Sequence, residues 1–262
     1  MNPEEPRRWR AHGTPVPLEA NGIHVWRFGV DVAPDSLAAL EETLSELERE
    51  RAEKFTFHRD RHRFVGGRGF LRAALSNYLC VKPGEVEFQY DDRGKPRLGP
   101  PFDNSGIHFN LAHSEDLALL AITTIGPVGI DLEHIRLFPD VDDVILKCFS
   151  AREVEWFRHL SPEQKPWAFF SLWTHKEAFL KATGAGITRL LPQVEFSFRP
   201  MKPPRLRSIM GNSEEARCWS MHDLALAPGF AAALAIRARN VRLCCRHYTP
   251  NWFPAPDLVP AG

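Results

Sequence analysis

The 262-residue chain has no apolar run long enough to cross a membrane as a helix, which takes about 18 residues or more; its richest stretches, LALLAI and FAAALAI, are only as long as buried strands. It also lacks an excess of either charge. With 33 Lys and Arg against 33 Asp and Glu, no global field draws it to nucleic acid or to an anionic membrane, and any electrostatic attraction must be local. Cysteine is sparse. Cys80, Cys148, Cys218, Cys244 and Cys245 are odd in number and follow neither a C-x-x-C nor a paired Cys/His spacing. That argues against a disulfide framework and a structural zinc site, and for a reducing, cytoplasmic setting. The opening MNPEEPRRWRAHGTPVP has arginines but no apolar stretch behind them, so no signal peptide is expected.

What is there reads as α+β. Residues 1–20 suggest a flexible arm, and the proline-rich end, 241–262, a tail; Arg199 to Glu215 also looks irregular. Between them lie two blocks of similar order, 21–125 and 126–240. In the first, IHVWRFGV alternates as a strand, Asp35 to about Phe55 and about Asp60 to Leu79 read as helices, and EVEFQY, HFNLAH and DLALLAITT follow as strands. In the second, VGIDLEHI is followed by two or three helices between Asp140 and Thr183, then by VEFSF, RCWSMHDL and FAAALAIRA as strands. Strand, helices and strands twice over suggest a degenerate duplication with a ligand cleft between the halves. The turn Ile125-Gly126-Pro127 would join them.

The strand VGIDLEHI puts Val128, Ile130 and Leu132 on one face and Gly129, Asp131 and Glu133 on the other. The two carboxylates then lie about 7 Å apart along the strand, a repulsion that calls for a cation. A third acid, Glu177, sits in the helical pattern WTHKEAFLKATGAG, which ends at Gly184 or Gly186; Trp173, Glu177 and Lys181 share a face, with Lys176 on its flank. On spacing alone, Glu177 and Lys181 read as an ordinary exposed ion pair. Together with the strand acids they suit hydrated Mg2+ and an anionic substrate: hard oxygen donors, too few to saturate the ion, with ammonium groups nearby for phosphate. Metal-assisted chemistry at a phosphate is the leading class. A phosphohydrolase or nuclease built on the same acids, and a catalytically silent binding module, are the alternatives, and His58 and His62 one helical turn apart offer a weaker metal site, set among arginines that suit an anion better.

GIDLE (Gly129 to Glu133) and WTHKEAFLKATGAGI (Trp173 to Ile187) together resemble the paired signature of the 4'-phosphopantetheinyl transferases in their larger single-chain form. GKP (Gly94 to Pro96), FNLAHS (Phe109 to Ser114) and FSAREVEWF (Phe149 to Phe157) add to the likeness. The resemblance implies two pseudo-symmetric α+β halves with the active site at their interface, and a monomer. It implies transfer of the phosphopantetheine arm of coenzyme A to a serine of an apo acyl or peptidyl carrier protein, releasing 3',5'-ADP, with no part for nucleic acid or a membrane. Asp131, Glu133 and Glu177 would hold Mg2+ on the diphosphate. Glu177 would act as general base, and Lys181, or else Lys176, would assist the leaving phosphate. Arg63 and His113, with Lys95 and Arg51, would take the 3'-phosphate, and the Gly-Lys-Pro turn would lie against the adenine. Ala112 stands where many relatives have a serine.

Overall fold

The computed structural model describes residues 9–11, 17–92, 94–137, 141–185, 190–199 and 202–248. Most of the expected N-terminal arm, the end of the chain beyond 248, and Gly186 and Ile187 of the helix motif lie outside these residues. The first half begins with a two-residue strand, β1 (Arg10–Ala11), and β2 (Gly22–Gly29). Helices α1 (Pro34–Glu42), α2 (Glu46–Glu53) and α3 (His58–Leu79) follow. Then come a small hairpin, β3 (Phe88–Tyr90) and β4 (Pro96–Leu98), and a longer one, β5 (His108–Ser114) and β6 (Leu117–Thr123). The second half has the same order: β7 (Val128–His134), then α4 (Val141–Cys148), α5 (Ala151–Arg158) and α6 (Lys165–Thr183). A hairpin of β8 (Val194–Arg199) and β9 (Lys202–Ile209), a short helix α7 (Ser213–Arg217), and the pair β10 (Ser220–Asp223) and β11 (Phe230–Ile236) complete it.

The two halves share a pairing pattern. β2 pairs antiparallel with β6 and β7 with β11, giving β2-β6-β5 and β7-β11-β10. Three sequence expectations change. Asp35 to Phe55 is two helices, because Ser45 and Glu48 form a reciprocal capping box that starts α2 afresh. Arg199 to Glu215 is largely ordered: β9 pairs with β8, with a register irregularity that leaves Pro203 and Pro204 without ladder partners, and α7 follows, shortening the expected RCWSMHDL strand to Ser220–Asp223. Residues past 241 begin with a strand, β12 (Arg242–His247), which lies between β1 and β2 and is parallel to both. Its Leu243 and Cys245 enter the core.

The two sheets pack face to face. Ile23, Val25, Leu119 and Ala121 of the first meet Ile130, Leu132, Leu234 and Ile236 of the second, and Ala112 lies in the same layer. Helix α3 covers the outer face of the first sheet, with Phe70, Leu71, Ala74 and Leu75 against Trp26, Phe28 and Leu120. Helix α6 covers the outer face of the second and is buried along most of its length. β5 and β7 belong to different sheets, and side chains bridge them: Ile130 N donates to Asn110 Oδ1 at 2.8 Å and His134 N to Ser114 Oγ at 3.0 Å. No helix among the described residues is long and apolar enough to cross a membrane, and the five cysteines are free thiols.

Glycine sets the distance between α6 and β7. A Cβ on Gly129 would stand 2.0 Å from Ala178 O and 2.5 Å from Ala182 N, so helix backbone rests directly on the strand. Gly129→Ala should destabilise the fold by about 2–3 kcal/mol through overpacking, lowering Tm by roughly 5–10 °C in thermal denaturation. An unchanged Tm would mean that the helix does not press on the strand here.

Candidate active site

Because the apolar set of β7 is drawn into the layer between the sheets, its alternation turns Gly129, Asp131 and Glu133 toward α6. The close approach at Gly129 then brings the last turns of α6 beside these acids. Lys181 Nζ donates to Asp131 Oδ1 at 2.6 Å, an ion pair whose carboxylate is almost wholly buried while the ammonium is about one-third exposed. Lys181 therefore pairs with the strand and not with Glu177. Glu133 accepts from Ser114 Oγ at 3.3 Å and stands 4.0 Å from Arg136 Nη1.

Crowding of like charge in a dry place shows in the acidities. Burial, reinforced by Asp131 and Glu133, pushes the Glu177 carboxyl up to about 7 against the pull of Lys181. Burial also raises Asp131, outweighing Lys181, and burial together with Asp131 raises Glu133 against Ser114, Arg136 and Lys181. Asp131 Oδ2 and Glu177 Oε1 are buried with no hydrogen-bond partner. Two unpaired carboxylate oxygens in one acidic cluster are a donor set that wants a hard cation, and the residues fit Mg2+ in kind. Among the described residues, no three Asp, Glu, His or Cys side chains already stand in ligand geometry around one point.

A basic corner adjoins the acids. Partial burial and the charges of Lys181 and Arg63 hold His113 below its ordinary value, so all three share one field. Arg63 itself pairs with Glu115 at the β5–β6 turn, at 3.3 Å. Lys95, in the turn opened by left-handed Gly94, donates to the carbonyl of Lys181, and burial lowers its ammonium, helped by Lys181 against Asp91. A cavity of about 320 Å³ opens here, between Lys95, Pro96, His108, Val128 and Ala182. Arg51, on α2, lies with its guanidinium 5.3 Å from the centre of the Phe64 ring.

One expectation does not hold. Lys176 is not available to a leaving phosphate: it is fully buried, and Nζ bonds Glu153 Oε2 at 2.8 Å and the carbonyls of Leu191 and Val194 at 2.7 Å. Those three acceptors use every ammonium proton, because the i+3 position that looks like a flank of the Glu177 face points instead toward α5 and β8. His62 Nε2 lies 3.0 Å from Val32 O and 3.6 Å from Asp31, while His58 is exposed, in keeping with the reading of this arginine-rich segment as surface or anion site and not as a metal site. Sequence reasoning overlooked Asn110 and Ser114. They sit at alternate positions of FNLAHS that face β7, and that periodicity was the available signal.

The raised Glu177 carboxyl has a sign that can be tested. Its folded value near 7 lies above the unfolded value near 4.3, so its contribution to stability is complete below about pH 4 and is lost as pH rises through 7. Glu177→Gln, which keeps the shape and removes the charge, should raise Tm of the metal-free protein at pH 8 by roughly 2–4 °C, the shift that about 1 kcal/mol produces. At pH 5 it should change little. Calorimetry showing equal Tm at pH 8 would place Glu177 outside the acidic cluster.

Comparison with known proteins bears on the whole chain. A family model described as the 4'-phosphopantetheinyl transferase superfamily matches residues 127–235, and one described as 4'-phosphopantetheinyl transferase, N-terminal, matches residues 32–125. The 4'-phosphopantetheinyl transferase HetI of Nostoc sp. is 41% identical over 228 residues, which is 87% of this chain and 93% of that protein. A 4'-phosphopantetheinyl transferase of Bacillus subtilis is 31% identical over 60% of this chain and 66% of its own length. The L-aminoadipate-semialdehyde dehydrogenase-phosphopantetheinyl transferase of Homo sapiens is 27% identical over 72% and 66%. Matches to both halves, and a relative aligned over nearly its full length, leave one assignment: the chain belongs to the 4'-phosphopantetheinyl transferase superfamily.

Proposed function

We propose that the protein transfers the 4'-phosphopantetheine arm of coenzyme A to a serine of an apo acyl or peptidyl carrier protein, with Mg2+ and release of 3',5'-ADP, as a cytoplasmic monomer. The observation that carries this reading is the gathering of Asp131, Glu133 and Glu177 around Lys181 at the contact of β7 with α6, beside the basic corner of Arg63, His113 and Lys95.

Asp131, Glu133 and Glu177 would hold Mg2+, which supplies, when bound, positive charge against the diphosphate as its negative charge grows. The carrier serine oxygen bonds to the β-phosphorus, the bond from that phosphorus to the bridging oxygen breaks, and 3',5'-ADP departs. Glu177 accepts the serine proton as general base. Lys181 faces the departing phosphate and offsets its charge from the same side. Arg63, through its fork of donors, and His113 take the 3'-phosphate, with Lys95 nearer the nucleotide base and Arg51 on the outer edge. Ser114 orients Glu133, and burial of Asp131 and Glu177 keeps competing water from their oxygens.

Incubation with coenzyme A, Mg2+ and an apo carrier should add one phosphopantetheine to the carrier, read by intact mass. No mass gain on several unrelated carriers, with the protein folded, would overturn the proposal. Glu177→Gln should slow transfer by about 10²-fold or more. Arg63→Ala should raise KM for coenzyme A about tenfold, with a smaller effect on 3'-dephospho-coenzyme A. Equal effects on both donors would move the 3'-phosphate elsewhere.

A further inference from the structure

Lys181 holds one oxygen of Asp131 beside the oxygen left for a divalent ion, and this bears on the order in which ligands arrive. Its Nζ is 2.6 Å from Oδ1 of a carboxylate that is 7% exposed, while Oδ2 has no hydrogen-bond partner, so an ion taking this acid must do so against an ammonium already on it. Main chain at this point is pinned, since Lys95 holds the carbonyl of Lys181 and Ala178 and Ala182 rest on Gly129. Only the side chain of Lys181 is left to move. Of the other two acids, Glu133 is turned to Ser114 and Arg136 and Glu177 keeps Oε1 without a hydrogen-bond partner, and no three ligand side chains among the described residues stand in metal geometry.

Charge decides what can displace the lysine. A bare divalent ion approaching Asp131 meets the ammonium at close range, two like charges in a partly dry site. Mg2+ also gives up water reluctantly and takes six oxygens, more than three carboxylates offer comfortably. A metal ion chelated by a diphosphate meets neither obstacle. Its phosphate oxygens fill part of the coordination shell and offer Lys181 a new anion as the ion takes Asp131, so partners are exchanged and no charge is left unpaired.

We infer that Lys181 is the resident counter-ion of the acidic cluster, and that the divalent ion enters as its chelate with the coenzyme A diphosphate and not as a cofactor of the free protein. This rests on the site being one for Mg2+ and coenzyme A. The test is titration with Mn2+, following the electron paramagnetic resonance signal of the free aquo ion, with a coenzyme A blank and no carrier present. The wild-type protein should bind Mn2+ weakly alone and at least about tenfold more tightly with coenzyme A. Lys181→Met should bind Mn2+ alone at least about tenfold more tightly than wild type, although transfer falls, while Lys181→Arg should stay as weak as wild type. Lys181→Gln repeats the Met arm with a polar side chain in case the apolar one perturbs the fold. Wild-type protein that binds Mn2+ equally well with and without coenzyme A, or neutral variants that bind it no better, would overturn the inference while leaving the metal site standing. Failure of Mn2+ to bind in any form, with or without coenzyme A, would remove the metal site itself and this inference with it.

Discussion

Helix α6 rests on strand β7 at Gly129, backbone against backbone, and the candidate site depends on that contact. A side chain at this position would hold the helix off by more than the length of a hydrogen bond is free to vary, and the 2.6 Å link from Lys181 to Asp131 could not form. The strand is held at the right depth by its other face, where Val128, Ile130 and Leu132 are locked into the layer between the sheets. Burial on one side of β7 thus presents charge on the other. The same packing removes Asp131 and Glu177 from water, which raises their pKa values and gives the cluster its need for a cation.

Two lysines on one helix show how environment, more than residue type, assigns the work. Lys176 and Lys181 are both followed through by acidic partners, Glu153 and Asp131. Lys176 has three acceptors, no exposure and a partner that also bonds Phe196 N and Ser150 N, so it is committed to joining α5, β8 and α6 in the residue before Glu177. Removing either member would strand a buried charge, which commonly costs about 3–5 kcal/mol. Lys181 has one carboxylate partner and partial exposure, and its charge is felt at His113. One pair is fixed inside the fold; the other stands at the edge of the candidate site.

The duplication gives the seam its form. Each half presents the first strand of its β-β-β unit, and the two sheets meet along apolar faces instead of continuing one ladder. At the edge of that layer the backbone of β7 is met by Asn110 and Ser114 of β5. Ser114 belongs to both structure and site, since it accepts from His134 N and donates to Glu133. The neighbouring residues extend the link: His113 shares the field of Lys181, and Glu115 holds Arg63 on α3. One hairpin tip therefore joins the basic corner to the acidic cluster.

Much of this was legible in the order of residues. Strand alternation placed Asp131 and Glu133 on one face, and helical spacing placed Glu177 with Lys181, because both periods are properties of local backbone geometry. Two separated motifs identified the family for the same reason: they record short-range patterns. Other features needed the tertiary structure. Ser45 divides a predicted helix only because its capping box is made, and Arg242–His247 becomes a strand only because the open edge of β2 is there to pair with. Lys176 and Lys181 look alike in sequence; burial against α5 and β8 separates them. Sequence by itself determined which residues share a face and which family they mark, while packing between distant segments decided which charges are dry, which are paired and which can still change partners.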